Sequence, residues 1–286
     1  MAPLFLLLLL LCSLARAEFS TVLIGGIDPN NMLDSVEVVT KANKSCTHNI
    51  PDFPFERDGL AAASFSSLAF MNDILACGGE NRGPWEASRQ ACYHYWSAEK
   101  RWMEAPAMNY PRFDATIHTF DRFNLVLGGG ESAVEILGGQ GMGGWTEVAS
   151  ARLPNDGLQD ACSVVVASPT SSSDSYIHLL GGKELETNWG TNSHYRLMAT
   201  YDGVSSEGWE VMHHMPVALQ DHACVAASIG QSSGIFVTGG RDEPTASSYS
   251  NQVFFYDLTL ELWTELRELP EPRGFHSMGL IGEGVG

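Results

Sequence analysis

The residues with the most reactive side chains are six cysteines and nine histidines in a chain of 286. Cys77 stands directly before Gly78-Gly79, where a thiol beside a glycine turn has the look of a nucleophile, and His213-His214 form an adjacent pair. Neither pattern carries through to chemistry. The histidines are scattered, among them His94, His118, His178 and His222, with no His-Glu-x-x-His and no paired Cys-x-x-Cys spacing for zinc. In a strand, neighbours point to opposite faces, so His213 and His214 are not expected to share a metal. Glu184 with Glu186 and Asp242 with Glu243 read as solvated loop charge, because glycosidase chemistry needs two carboxylates held across a cleft. The expectation is a protein without catalytic residues, metal or cofactor.

Composition narrows the partners. The chain is 44% hydrophobic and 17% charged, so it can bury a large core. Residues 4–11 are an unbroken apolar run and Ala15-Arg16-Ala17 has the small-x-small pattern of signal cleavage, so residues 1–17 are expected to be a signal peptide and residues 18–286 the folded domain. The run is shorter than the roughly 20 apolar residues of a membrane span. Cleavage removes Arg16, leaving 15 basic against 34 acidic residues, a net charge of −19. The basic residues are spread along the chain without clustering, which excludes nucleic acid as an expected partner. A soluble, secreted, extracellular product is expected.

The elements that position these residues are repeats. Apolar runs end in Gly-Gly at Gly25, Gly78, Gly128, Gly181 and Gly239, so the spacing is 53, 50, 53 and 58. A period near fifty predicts four-stranded units, lettered here a to d. Strand a is expected at residues 59–67, 113–120, 161–168 and 222–228. Strand b is the run into Gly-Gly. Strand c is expected at residues 36–40, 92–97, 133–137, 194–200 and 252–257. Strand d carries Trp102, Trp145, Trp209 or Trp263, which are expected to wedge between units. The chain begins with a strand b and ends, at residues 275–281, in what reads as a strand a, so the last strand is expected to complete the first unit and close the ring. That makes five units.

Within this frame Cys77 ends a strand b and Cys92 opens the next strand c, which predicts a Cys77–Cys92 disulfide. Aligning Leu158-Gln159-Asp160 with Leu219-Gln220-Asp221 sets Cys162 and Cys224 one residue out of register, so these two are expected to be small buried residues and not a pair. Asn43-Lys44-Ser45 beside Cys46 is a glycosylation sequon.

Antiparallel order sends the b-to-c and d-to-a connections to one end of the units. The b-to-c connections hold Arg82, Trp85 and Arg89, then Trp189, then Arg241 and Tyr249; the d-to-a connections hold Arg57, Arg112, Arg152 and Arg273. Aromatic and arginine side chains on loops of a rigid scaffold suit recognition. The expected binding residues are Arg82, Trp85, Arg89, Arg112, Trp189, Arg241 and Arg273. The expected partner is an extracellular protein or peptide, acidic because of the arginines, with a glycan as the alternative. The tryptophans can instead cover their own units, and Arg112 and Arg273 can instead tie strand a to a neighbour.

The Gly-Gly strands, the Tyr256-Asp257 ending of a strand c, the four strand-d tryptophans, and Pro111-Arg112 and Pro272-Arg273 before strand a together resemble the secreted members of the kelch-repeat family. The resemblance covers the mature chain and implies an all-β, kelch-type β-propeller; five blades is fewer than such propellers usually have. It implies a protein-binding module using the face of b-to-c and d-to-a connections. Galactose oxidase is a copper enzyme of similar fold, but its ligand set finds no matching positions here. No Ser-x-Asp-x-Gly-x-Thr-Trp box of sialidases occurs. A carbohydrate-active enzyme and a matrix component stand as the alternatives.

Overall fold

The computed structural model describes residues 20–27, 32–40, 50–67, 70–81, 89–138, 143–154, 157–169, 171, 173–243 and 249–279. The signal segment, Asn43, Cys46, Arg82 and Trp85 lie outside the described residues.

The fold is all-β. Four units form antiparallel meanders in chain order. The second sheet runs Asp58–Ser67, Phe70–Glu80, Cys92–Trp96 and Arg101–Ala105. The third runs Ala115–Thr119, Phe123–Gly128, Glu135–Gly138 and Trp145–Glu147. The fourth runs Cys162–Ala167, Ser175–Leu180 and His194–Thr200, with its outer strand in two pieces, Gly203–Val204 and Glu210–Val211. The fifth runs Ala223–Ile229, Ser232–Thr238, Val253–Asp257 and Leu262–Glu265. The first sheet has two strands, Ser20–Ile27 and Met32–Thr40. A 3-10 turn at Ala149–Ala151 is almost the only helical element among the described residues, and no helix there is long and apolar enough to cross a membrane.

The strand b of the fourth sheet is a continuous apolar run because sheets cover it on both faces. Ile177 and Leu179 pack with Leu125, Leu127 and Leu197 between the third and fourth sheets. Leu180, one residue on, points the other way and packs with Ile235, Val237 and Tyr256 between the fourth and fifth. Each such fully buried side chain contributes about 1.5–3 kcal/mol. The tryptophans fasten the same seams through their indole N–H groups. Trp102 donates to the Pro51 carbonyl at 3.0 Å, Trp145 to Pro106 at 2.9 Å, Trp209 to Ala151 at 2.7 Å and Trp263 to His213 at 3.0 Å.

The Gly-Gly turns make the joints between successive units. The N–H of Gly182, at φ +91°, donates to Leu219 O at 2.8 Å, and a Cβ there would meet Gln159 O at 2.9 Å. Gly79 N–H grips Arg112 O at 3.0 Å and Gly240 N–H grips Arg273 O at 2.9 Å in the same way. Only glycine combines positive φ with so close a backbone approach.

Two expectations change. Residues 275–279 form no strand; they dock on the fifth sheet, with Phe275 N–H bonded to Asp221 O at 3.0 Å and Thr238 Oγ1 2.8 Å from His276 Nε2. The second change concerns cysteines. Cys77 and Cys92 face each other across a ladder and are joined as expected, but Cys162 and Cys224 are joined as well. The pleat rule that argued against the second pair governs ladder partners within one sheet. Cys162 and Cys224 lie on the first strands of two different sheets, paired with Leu180 and Val237 respectively, so no common register constrains them. Loop-closure entropy gives the 62-residue separation about 4 kcal/mol and the 15-residue separation about 3 kcal/mol. Replacing Cys162 and Cys224 by serine is therefore expected to lower the unfolding free energy at least as much as replacing Cys77 and Cys92. Urea denaturation of the two double variants checks this.

Candidate functional site

Each full sheet is opened by a residue in the left-handed region: Gly59 (φ +63°), Asp114 (+56°), Asp160 (+56°) and Asp221 (+58°), and Phe275 (+49°) follows in the equivalent place. Backbone hydrogen bonds string them together, from Asp114 N–H to Gly59 O at 2.8 Å, from Asp221 N–H to Asp160 O at 3.2 Å, and from Phe275 N–H to Asp221 O. Aspartate is among the few side chains that tolerate this conformation. The turn geometry therefore lays three carboxyl groups along one arc. At its first position a Cβ on Gly59 would run into the Phe113 ring and stand 2.8 Å from Asp114 Oδ1, so glycine makes room for both.

Cations from the b-to-c connections close on this arc. Lys183 Nζ is 2.7 Å from Asp160 Oδ2, and Arg241 Nε donates to Asp221 Oδ2 at 2.6 Å. Arg89 is bonded to Glu80 at 2.6 Å, and Glu80 in turn faces Asp58 across a ladder. Burial pushes the Asp114 carboxyl up to about 9, helped by its hydrogen bond to Asp160 and by the charges of Asp160 and Asp58. Burial and then repulsion from Asp160 raise Asp221 to about 6, against the pull of Arg241. Asp114 thus holds a proton at neutral pH.

Around the arc stands an apolar rim. Trp189 is 51% exposed and Phe275 66% exposed, with Leu185 also exposed and Tyr249 edge-on to Phe275 at 6.1 Å. The loop carrying Trp189 is tied to the fifth sheet by Gly190 N–H to Asp242 O at 2.9 Å. The Arg241 guanidinium lies 5.7 Å from the Tyr249 ring and 5.6 Å from that of Phe275.

Several expected binding residues stand elsewhere. Arg112 has 0% exposure and is no surface group: its Nη1 donates to Gly128 O at 2.7 Å, and its Nη2 to Ala133 O at 2.7 Å and Glu135 at 3.0 Å. Arg57 donates to Gly78 O at 2.6 Å from the same place in the second sheet, so these arginines are internal straps. Arg112 and Arg57 are thus withdrawn from the surface, Arg89 and Arg241 reach it paired to Glu80 and Asp221, and Arg273 is exposed there. Sequence reasoning missed Asp114, Asp160, Asp221 and Phe275 as site residues; the twice-written Leu-Gln-Asp at 158–160 and 219–221 was the available signal.

Away from this face, His178 and His194 sit fully buried between the fourth and fifth sheets, Nδ1 to Nε2 at 2.8 Å. His194 Nδ1 is 3.1 Å from the His213 carbonyl, which can only accept, so Nδ1 carries the proton and Nε2 accepts from His178. Burial lowers His178 to about 3 and His194 to about 4. No group of three or more His, Cys, Asp or Glu side chains suited to a metal occurs among the described residues. A separate groove of about 370 Å³, lined by Tyr176, Arg196, Met198 and Trp209 among others, lies at the broken outer strand of the fourth sheet.

The arrangement of sheets has a counterpart among solved structures: one titled Structure of YjhT aligns with a TM-score of 0.65 over 92% of this chain and 87% of that one, at 12% identity. The chain shares its fold with YjhT. At that identity the likeness to YjhT extends to the fold alone. No family model and no curated protein matches the sequence.

Proposed function

We propose that this is a secreted, kelch-type β-propeller of five blades that acts by binding an extracellular protein or peptide at the face of b-to-c and d-to-a connections, without catalysis of its own. The observation that carries the reading is the exposed rim of Trp189 and Phe275 standing over the arc of Asp114, Asp160 and Asp221. Large exposed apolar side chains held on a rigid frame are typical anchors of recognition. Closure of the propeller through the segment from Phe275 belongs to the same proposal, by docking and not as a strand, residues 280–281 lying outside the described residues; the docking of Phe275 on Asp221, in the manner of Asp221 on Asp160, supports it.

The test is a pull-down from native extracellular fluid with the secreted protein beside a Trp189→Ala/Phe275→Ala variant. The expected result is a partner recovered by the parent and lost by the folded variant. Equal recovery by both would remove this face as the site.

A further inference from the structure

The arc is rich in carboxyl groups, and Lys183 and Arg241 reach it from the b-to-c connections. Asp221 is 5% exposed; its Oδ2 is taken by Arg241, while Oδ1, buried beside Asp160, has no hydrogen-bond partner. A buried acceptor left unpaired is costly, so a donor that reaches this oxygen recovers that cost. Along the arc of Asp58, Asp114, Asp160 and Asp221, the ion pairs among the described residues are Lys183 with Asp160 and Arg241 with Asp221. The surplus is negative, in a chain of net charge −18. The apolar rim of Leu185, Trp189 and Phe275 supplies contacts for whatever flanks an entering charge.

We propose that the partner recognised at this face presents a basic side chain, a guanidinium or primary ammonium group, that enters the arc between Asp114, Asp160 and Asp221 while its apolar neighbours lie on Trp189 and Phe275. This rests on the reading of the face as a binding surface and names the chemistry of its partner. Around Asp114 stand Asp58 from the second sheet and Asp160 with Gln159 from the fourth, and beyond them Lys183, Asp221 and Arg241; Arg112, on its own connection, is turned inward to Glu135. An entering cation favours the ionised form of Asp114, so the carboxyl releases its proton to solvent and the carboxylate pairs with the cation. Affinity is then linked to pH, rising up to about tenfold per unit from pH 7 towards 9.

The experiment titrates the full secreted chain with acetyl-Leu-Arg-Leu-amide and with the same peptide carrying citrulline, an uncharged isostere of arginine. Calorimetry in two buffers of different ionisation heat counts released protons. The expected result is at least tenfold tighter binding of the arginine peptide, with proton release at pH 7.5. The preference is expected to be lost in Asp221→Asn and in Asp160→Asn, and unchanged in Asp202→Asn, which removes an exposed carboxylate paired with Arg122 elsewhere. The pH series on the unaltered protein holds even if an arc variant fails to fold. Equal binding of both peptides, abolished by Trp189→Ala, would overturn the basic side chain and leave the binding face standing. Binding of neither up to millimolar peptide would also overturn it, while the pull-down separately judges the face.

Discussion

Lowering the pH from 6.5 to 4.5 is expected to destabilise the folded chain by about 2 kcal/mol per pH unit. Burial holds His178 at about 3, and His194 and His222 at about 4, with His118, bonded to Ser163, also near 4. The unfolded chain binds protons on these imidazoles below about pH 6.5 that the folded chain refuses. Asp114 and Asp221 work in the opposite sense, because their raised values let the folded state keep protons that the unfolded state has lost. Four imidazoles against two carboxyls leave a net excess of about two protons on the unfolded chain near pH 5, so stability falls as pH falls. Of the smaller shifts, Asp58 and Glu131 upward oppose Glu147 and Asp257 downward, while His276, also lowered by burial, acts in the same sense as the other imidazoles. Above pH 7 the imidazoles are neutral in both states and Asp114 is left to act alone. Its retained proton lowers stability by about 1 kcal/mol per pH unit until about pH 9. Urea midpoints from pH 4.5 to 9 should therefore peak near neutrality. His178→Leu/His194→Leu should flatten the acid limb and Asp114→Asn the alkaline one. Limbs unchanged in these variants would show that other groups set the profile.

The largest single-residue effect is expected at Arg112. Replacing it by leucine should cost about 3–5 kcal/mol, because Glu135 is then left charged and buried without its partner. Glu135 has 0% exposure and keeps only Asn109, whose N–H and Nδ2 both donate to Oε1 at 2.8 Å. Leucine is the natural choice, since Leu158 and Leu219 occupy the equivalent place, each with a carbonyl taken by a glycine N–H of the preceding unit. Adding Glu135→Leu should recover at least half of the loss, leaving the unpaired carbonyls of Gly128 and Ala133 as the remainder. A loss below 1 kcal/mol in the single variant, by urea denaturation, would mean that Arg112 does not strap the third sheet.

The repeats were legible because backbone geometry demands particular residues. Gly-Gly must be glycine where one unit joins the next, and strand b must be apolar on both faces; the strands at His194–Thr200 and Trp145–Glu147 fall where periodicity puts them. What sequence could not show was direction in three dimensions. Arg112 and Arg241 are the same residue type on connections at the same end of the sheets, yet one turns inward to Glu135 and the other to Asp221 on the rim. Cys162 and Cys224 met because they belong to different sheets, a relation that strand register does not encode. The aspartate arc was hidden for a related reason. Its members are 46 and 61 residues apart, from Asp114 to Asp160 to Asp221, and only the turn that opens each sheet brings them together.

The measurement that bears most directly on the binding face is photocrosslinking in native extracellular fluid from benzoylphenylalanine placed at position 189 or 275, beside the same group at position 229 or 260. Trp189 and Phe275 are on the proposed face, and Ile229, ending a strand a, and Leu260, on the c-to-d connection, are similarly exposed at the opposite end of the fifth sheet. Adducts to a common partner from positions 189 and 275 alone are the expected result. Adducts from 229 and 260 alone, or equally from all four positions, would contradict it.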